Sequence, residues 1–207
     1  RYAVAYRQFA VAYRLFEQDA VLQAAAAARQ AQADLHELGS NYASLADILV
    51  AAAAYYTADY PKAAALLSSA QASADSHRAL YVAARASWLR GMLAFTQGRL
   101  DEAQVDYELT LAHFERMGDA EHVATAHSLL AGVYFVLGDK PAEWRHHQLA
   151  LSNLGVGESA RARYLVFIAA AGSLRVEDPE AAMVMLEGAL RSALESGRDA
   201  AVIEALA

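Results

Sequence analysis

Apolar side chains recur at i, i+4 and i+7 in stretches about forty residues apart along the chain. The sets are Phe9, Tyr13 and Phe16; then Ile48, Ala52 and Tyr55; then Trp88, Met92 and Phe95. Two weaker sets follow, Ser128, Gly132 and Phe135, and Phe167, Ala171 and Leu174. That spacing keeps each set on one face of a helix. A small residue stands three positions after the first member of every set: Ala12, Ala51, Gly91, Ala131 and Ala170. About twelve residues later comes another, at Ala24, Ala63, Ala103 and Ala182, with Ala142 or Glu143 at the matching place. Helices that cross closely need small residues where they touch. The pattern therefore predicts a helical hairpin repeated five times.

The punctuation has the same period. Pro61, Pro141 and Pro179 stand at the start of second helices, where a missing N–H costs nothing. Asp59, Asp139 and Asp178 precede them and can cap those helices. Gly39, Gly118, Gly157 and Gly197 close four units, and Gly98 falls in a turn within a unit. The second unit ends near "DSHR" without a glycine. The expected helices are 2–18, 20–38, 42–57, 60–77, 79–97, 100–117, 120–137, 140–154, 159–176 and 179–196, with another starting near 199. Paired, they give units at 2–38, 42–77, 79–117, 120–154 and 159–196 in a single domain over 1–207. The period implies helices of about 17–19 residues, or about 26–28 Å.

The segment "RGMLAFTQGRLDEAQVDYELTL" carries Gly91, Gly98, Asp101–Ala103 and Tyr107 in an order that resembles the tetratricopeptide repeat. "LAGVYFVLGDKPAEW" follows it with Leu130, Tyr134 and Gly138. The resemblance covers nearly the whole chain, and in the first and last units it rests mainly on spacing. It departs from the family in its longer period, in Arg90 where the family prefers leucine, and in Glu143 where it prefers alanine. Long-helix variants of this kind are similar to kinesin light chains, to the superhelical sensor domains of bacterial transcription activators and to peptide-pheromone receptors. The resemblance implies an all-α right-handed superhelix, an α-solenoid of about five such repeats, whose first helices line a concave groove.

Composition narrows the function. The net charge is −7, and only two lysines occur, Lys62 and Lys140. Duplex binding needs clustered cations, so no direct nucleic-acid contact is expected from this segment. There is no cysteine, hence neither disulfide nor thiolate metal site. The longest apolar run, Ile48–Tyr56, is too short for a membrane span, and no signal segment opens the chain. The expected location is cytoplasmic. A start at Arg1 and the ending "RDAAVIEALA" suggest a piece of a longer protein.

The candidate binding residues are the members of the stripe with bulk: Phe9, Tyr13, Phe16, Ile48, Tyr55, Trp88, Met92, Phe95, Phe135 and Phe167. Either they fill the packing between units, or they form a groove for a protein helix or peptide, from a partner or from another domain of the same protein. Self-association is a further option. The family's lysine-and-asparagine carboxylate clamp is not expected, because Lys62, Lys140, Asn41 and Asn153 lie near helix ends. Arg85 and Arg175 could meet an acidic group on a ligand, but solvated surface arginines are expected.

Chemistry is hard to find. His122 and His127 are five apart, a poor match to one helix face. Glu143 and His147 are four apart but lack a third ligand, so surface histidines and no metal are expected. The acids of "EDPEAA" and "RLDEA" suit helix N-termini. "GVGES" lacks the strand and lysine of a phosphate loop. No cofactor motif or nucleophile elbow is present. The expectation is a protein- or peptide-binding module and not an enzyme. The alternative is the signal-sensing domain of a bacterial transcription regulator.

Overall fold

The computed structural model describes residues 2–18, 20–77, 79–155 and 159–197. Among them are ten helices and no strand. They are α1 (Tyr2–Glu17), α2 (Val21–Glu37), α3 (Asn41–Tyr56), α4 (Tyr60–His77), α5 (Leu80–Thr96), α6 (Leu100–Met117), α7 (Ala120–Leu137), α8 (Lys140–Ser152), α9 (Ala160–Leu174) and α10 (Pro179–Ser196). Every end falls within two residues of its expected place. The helix expected at 199, and Gly157, lie outside the described residues.

The chain divides into two compact units, 1–113 and 114–207. In the first, α1 to α5 pack consecutively, and α3 also touches both α1 and α5. In the second, α7 packs on α8, α9 on α10, and α7 on α9. No helix among the described residues is long and apolar enough to cross a membrane.

The crossing residues are where the spacing puts them. Ala12, Ala24, Ala51, Ala63, Ala103, Ala131, Ala142, Ala170 and Ala182 are all buried. Gly91 has a more specific cause than smallness. A Cβ there would sit 2.4 Å from Cε1 of Tyr107, which is itself buried. The α9–α10 pair reverses the device. Gly188 of the second helix accepts the Phe167 ring, which a Cβ would meet at 3.0 Å.

The caps are present as well. Asp59, Asp119, Asp139 and Asp178 accept from the backbone N–H groups of Lys62, His122, Ala142 and Ala181. Ser40 and Ser159 do the same for Tyr42 and Ala162. The helix lengths differ from expectation. They run from 13 residues in α8 to 18 in α4, α6, α7 and α10. The period does not require uniform helices, because α8 stops at the Asn153 cap and a longer connection makes up the distance to Ser159.

The three best-formed inner turns share one conformation. Gly98 and Gly138 have φ of +74° and +75°, and Ala58, forty residues before Gly98, has φ of +59°. Alanine in that left-handed region suffers a Cβ–carbonyl clash worth about 1–2 kcal/mol, partly offset against glycine by glycine's larger loss of chain entropy. Ala58→Gly is therefore expected to stabilise the protein by about 0.5–1 kcal/mol, and to raise the melting temperature by about 1–4 °C. A calorimetric scan showing no rise would mean that the turn is not strained.

Candidate functional site

The face made by α1, α3 and α5 carries most of the predicted stripe. The structure divides its members. Phe9, Phe16 and Ile48 are only 6, 6 and 2% exposed and belong to the core of the first unit. These three are packing residues, because the longer helices leave more space to fill between neighbours. Tyr13, Tyr55, Trp88, Met92 and Phe95 are half-buried, and Tyr13 and Met92 pack against that core.

In the first unit the stripe is bridged by polar atoms. The Tyr13 hydroxyl meets the Tyr81 hydroxyl at 3.0 Å, joining α1 to α5. The Tyr55 hydroxyl meets Thr96 Oγ1 at 2.8 Å, joining α3 to α5. The Arg85 guanidinium lies over the rings of Phe16 and Trp88, at 5.5 and 5.3 Å from their centroids. Arg85 is half-buried and not the solvated arginine expected of it.

The second unit is less continuous. Phe135 is 48% exposed, with Lys140 Nζ 5.1 Å from its ring centroid. Phe167 packs against Gly188 of α10, so it works inside that hairpin. Its repeat position matches Trp88, and its ring fills the space that a side chain at Gly188 would take.

The sequence did not reveal the buried polar pairs. Asp106 of α6 is 4% exposed and meets Arg90 Nη2 at 2.9 Å. Burial pushes the Asp106 carboxyl above its usual range, and Arg90 offsets part of that. Arg90 at the family's leucine position was the available signal, and Asp106 is its partner. Nearby, Ser87 and Thr110 bond each other at 2.8 Å inside the same helix pair. Asp47 is likewise buried, between Gln32 Nε2 at 2.5 Å and His36 Nε2 at 3.0 Å.

Two histidines expected on the surface are buried: His127 at 6% and His147 at 2%. His127 Nδ1 faces His146 Nδ1 at 3.1 Å, and the His146 ring stacks on Tyr134. His147 Nε2 lies 2.8 Å from Ser173 Oγ and 4.0 Å from Glu143 Oε1. A serine–histidine–carboxylate relay needs its two partners on opposite ring nitrogens, and here both face Nε2. Glu143, next to the crossing residue Ala142, is fully buried, and Lys140 Nζ approaches it at 3.3 Å while reaching Glu177 at 2.9 Å. Among the described residues no group of three or more potential ligands is placed to hold a metal ion.

No family model matches the chain. No curated protein matches it. Among solved structures it is similar to the crystal structure of BtubC (BKLC) from P. vanneervenii, with a TM-score of 0.66. The match covers 98% of this chain and 82% of that one, at 18% sequence identity. At that identity the likeness is one of fold: a helical-repeat, all-α architecture.

The Arg90–Asp106 pair is asymmetric, which makes it testable. Arg90→Leu leaves a buried carboxylate unpaired and is expected to cost about 2–3 kcal/mol. Asp106→Asn frees a side chain that is 39% exposed and can turn to water, so about 1 kcal/mol or less is expected. Urea melts giving equal losses would refute this account.

Burial holds both His127 and His147 below the ordinary histidine range, with Glu115 opposing at His127 and Glu143 opposing at His147. The unfolded chain therefore takes up protons near pH 6.5 that the folded chain refuses. Their contribution is whole above that pH and is lost as pH falls below it. Melting temperatures measured from pH 8 to 5 should drop through this window, and less steeply in a His127→Gln, His147→Gln double variant. An unchanged slope would assign the acid sensitivity to other groups.

Proposed function

We propose that this chain is a tetratricopeptide-repeat-like interaction module. It holds a protein or peptide segment on the face of α1, α3 and α5. The observation that carries this reading is the row of half-buried Tyr13, Tyr55, Trp88, Met92 and Phe95 along that face. Aromatic side chains and methionine with accessible edges are common anchors for a partner helix or peptide. The hydroxyl bridges Tyr13–Tyr81 and Tyr55–Thr96 hold two of them in place. An anchor held before binding loses less entropy when the partner arrives.

The acidic balance of the chain argues for a protein partner over a nucleic acid. A cytoplasmic setting and a non-catalytic role complete the proposal. The tetratricopeptide assignment itself rests on the order of Gly91, Gly98, Asp101–Ala103 and Tyr107 together with the paired helices.

Trp88→Ala combined with Phe95→Ala is expected to remove most binding while the chain stays folded. Loss of one central aromatic anchor commonly costs about 2 kcal/mol or more, over tenfold in affinity. The check is a quantitative pull-down from the host's own lysate with melt-matched proteins. If every captured partner binds the double variant as tightly as the original, this face is not the docking surface.

A further inference from the structure

Tyr13 and Met92 hold equivalent places two periods apart, and so do Phe16 and Phe95. The contacts of α1 do not follow that equivalence. Tyr13 meets Tyr81, eleven residues before Met92, and Phe16 lies under Arg85, ten residues before Phe95. Ten or eleven residues of helix span about 15–16 Å. The last turns of α1 therefore meet the first turns of α5, displaced by several turns from the repeat alignment. By contrast, α3 meets α5 in register, since Thr96, the partner of Tyr55, is one residue past Phe95. Tyr13 and Phe16 are three apart, and Tyr81 and Arg85 four apart, so each pair shares one face of its helix. The hydroxyl bond and the cation–ring contact thus form one clasp between two helices that α3 separates in the repeat order. Arg85 extends the clasp to Trp88, 5.3 Å from that ring centroid. One anchor of the docking face, Tyr13, belongs to the clasp itself, and another, Trp88, lies directly beside it.

We propose that Tyr81 is a positioning residue for the docking face. Through the Tyr13 hydroxyl it pins α1 across α5, and so assembles one surface from Tyr13 of the first hairpin and Trp88 of the third. Its own hydroxyl is engaged by Tyr13 and makes no contact with the occupant. A ring face accepts a guanidinium over a range of tilts, whereas a hydroxyl pair is directional, so the Tyr13–Tyr81 bond sets how the two helices meet. The proposal rests on the reading of this face as a docking surface and adds what fixes its shape.

The test starts from short random peptides displayed on phage and selected against the wild-type protein. Winners that lose binding on Trp88→Ala are then measured, as synthetic peptides, on Tyr81→Phe, Tyr13→Phe and the double variant, well below the melting temperature of each. There a merely structural loss of stability leaves the affinity of the folded protein unchanged. Each single variant is expected to bind about three- to tenfold more weakly. The double variant should be no weaker than either, because both substitutions remove one and the same bond. Should Tyr81→Phe fail to fold, Tyr13→Phe breaks that bond from the other side. Single variants that bind like the wild type would overturn the positioning role and leave the docking face standing. Losses that multiply in the double variant would make Tyr81 a contact of the peptide and overturn the role as well. Selection of no peptide that depends on Trp88 would overturn both readings.

Discussion

Close approach between paired helices is the constraint on which the other features depend. Each hairpin brings two backbones together at a fixed pair of positions, and only small side chains fit there. Ala12 with Ala24, Ala51 with Ala63, and Ala170 with Ala182 satisfy it with methyl groups. Gly91 satisfies it by removing even the methyl, because the Tyr107 ring occupies that space. Once the crossing is set, the rest of each helix is determined in rotation. The i, i+4, i+7 stripe of the first helix must then turn toward the neighbouring first helices. Ile48 and Trp88 share that direction, but Ile48 is buried in the core while Trp88 is half-buried.

The exceptions to the apolar rule are compensated locally, each in a different way. Asp106 lies next to Tyr107 and is matched by Arg90, next to Gly91, so a charge pair flanks the tightest contact in the first unit. Glu143 follows the crossing residue Ala142, and Lys140, one turn before it on α8, approaches it at 3.3 Å. Lys140 keeps its stem along the protein and its head partly in water, which limits the desolvation that a fully buried pair would suffer. These groups contribute little net stability as ion pairs. Their effect is to make particular alternatives expensive, since any slip of α6 or α8 would strand a buried carboxylate.

The fold was largely legible because every level of the sequence repeats with one period. Small residues, proline and aspartate starts and glycine stops all agreed, so helix ends came out within two residues. What escaped was set by partners remote in sequence. Phe167 and Trp88 share a repeat position, yet Phe167 packs on Gly188 of the next helix while Trp88 lies under Arg85. His147 reads as one more polar residue in "RHHQ" until Ser173 and Glu143 are seen around it. Ala58 gave no sign of a left-handed backbone, though its place forty residues before Gly98 supplied the clue. Five of the ten candidate binding residues kept usable surface on the first unit's face, because periodicity specifies a direction and not what lies along it.

The arginines of α5 show how far the same residue type can diverge. Arg90 and Arg85 are five apart, hence on different sides of one helix. Arg90 points to the second helix of its hairpin and meets an acid placed there by the sequence. Arg85 points to the first helix of another unit and meets rings. A ring face attracts the guanidinium but satisfies none of its hydrogen bonds. The two arginines thus end in unlike surroundings, set by which helix each one faces and not by the helix that carries them.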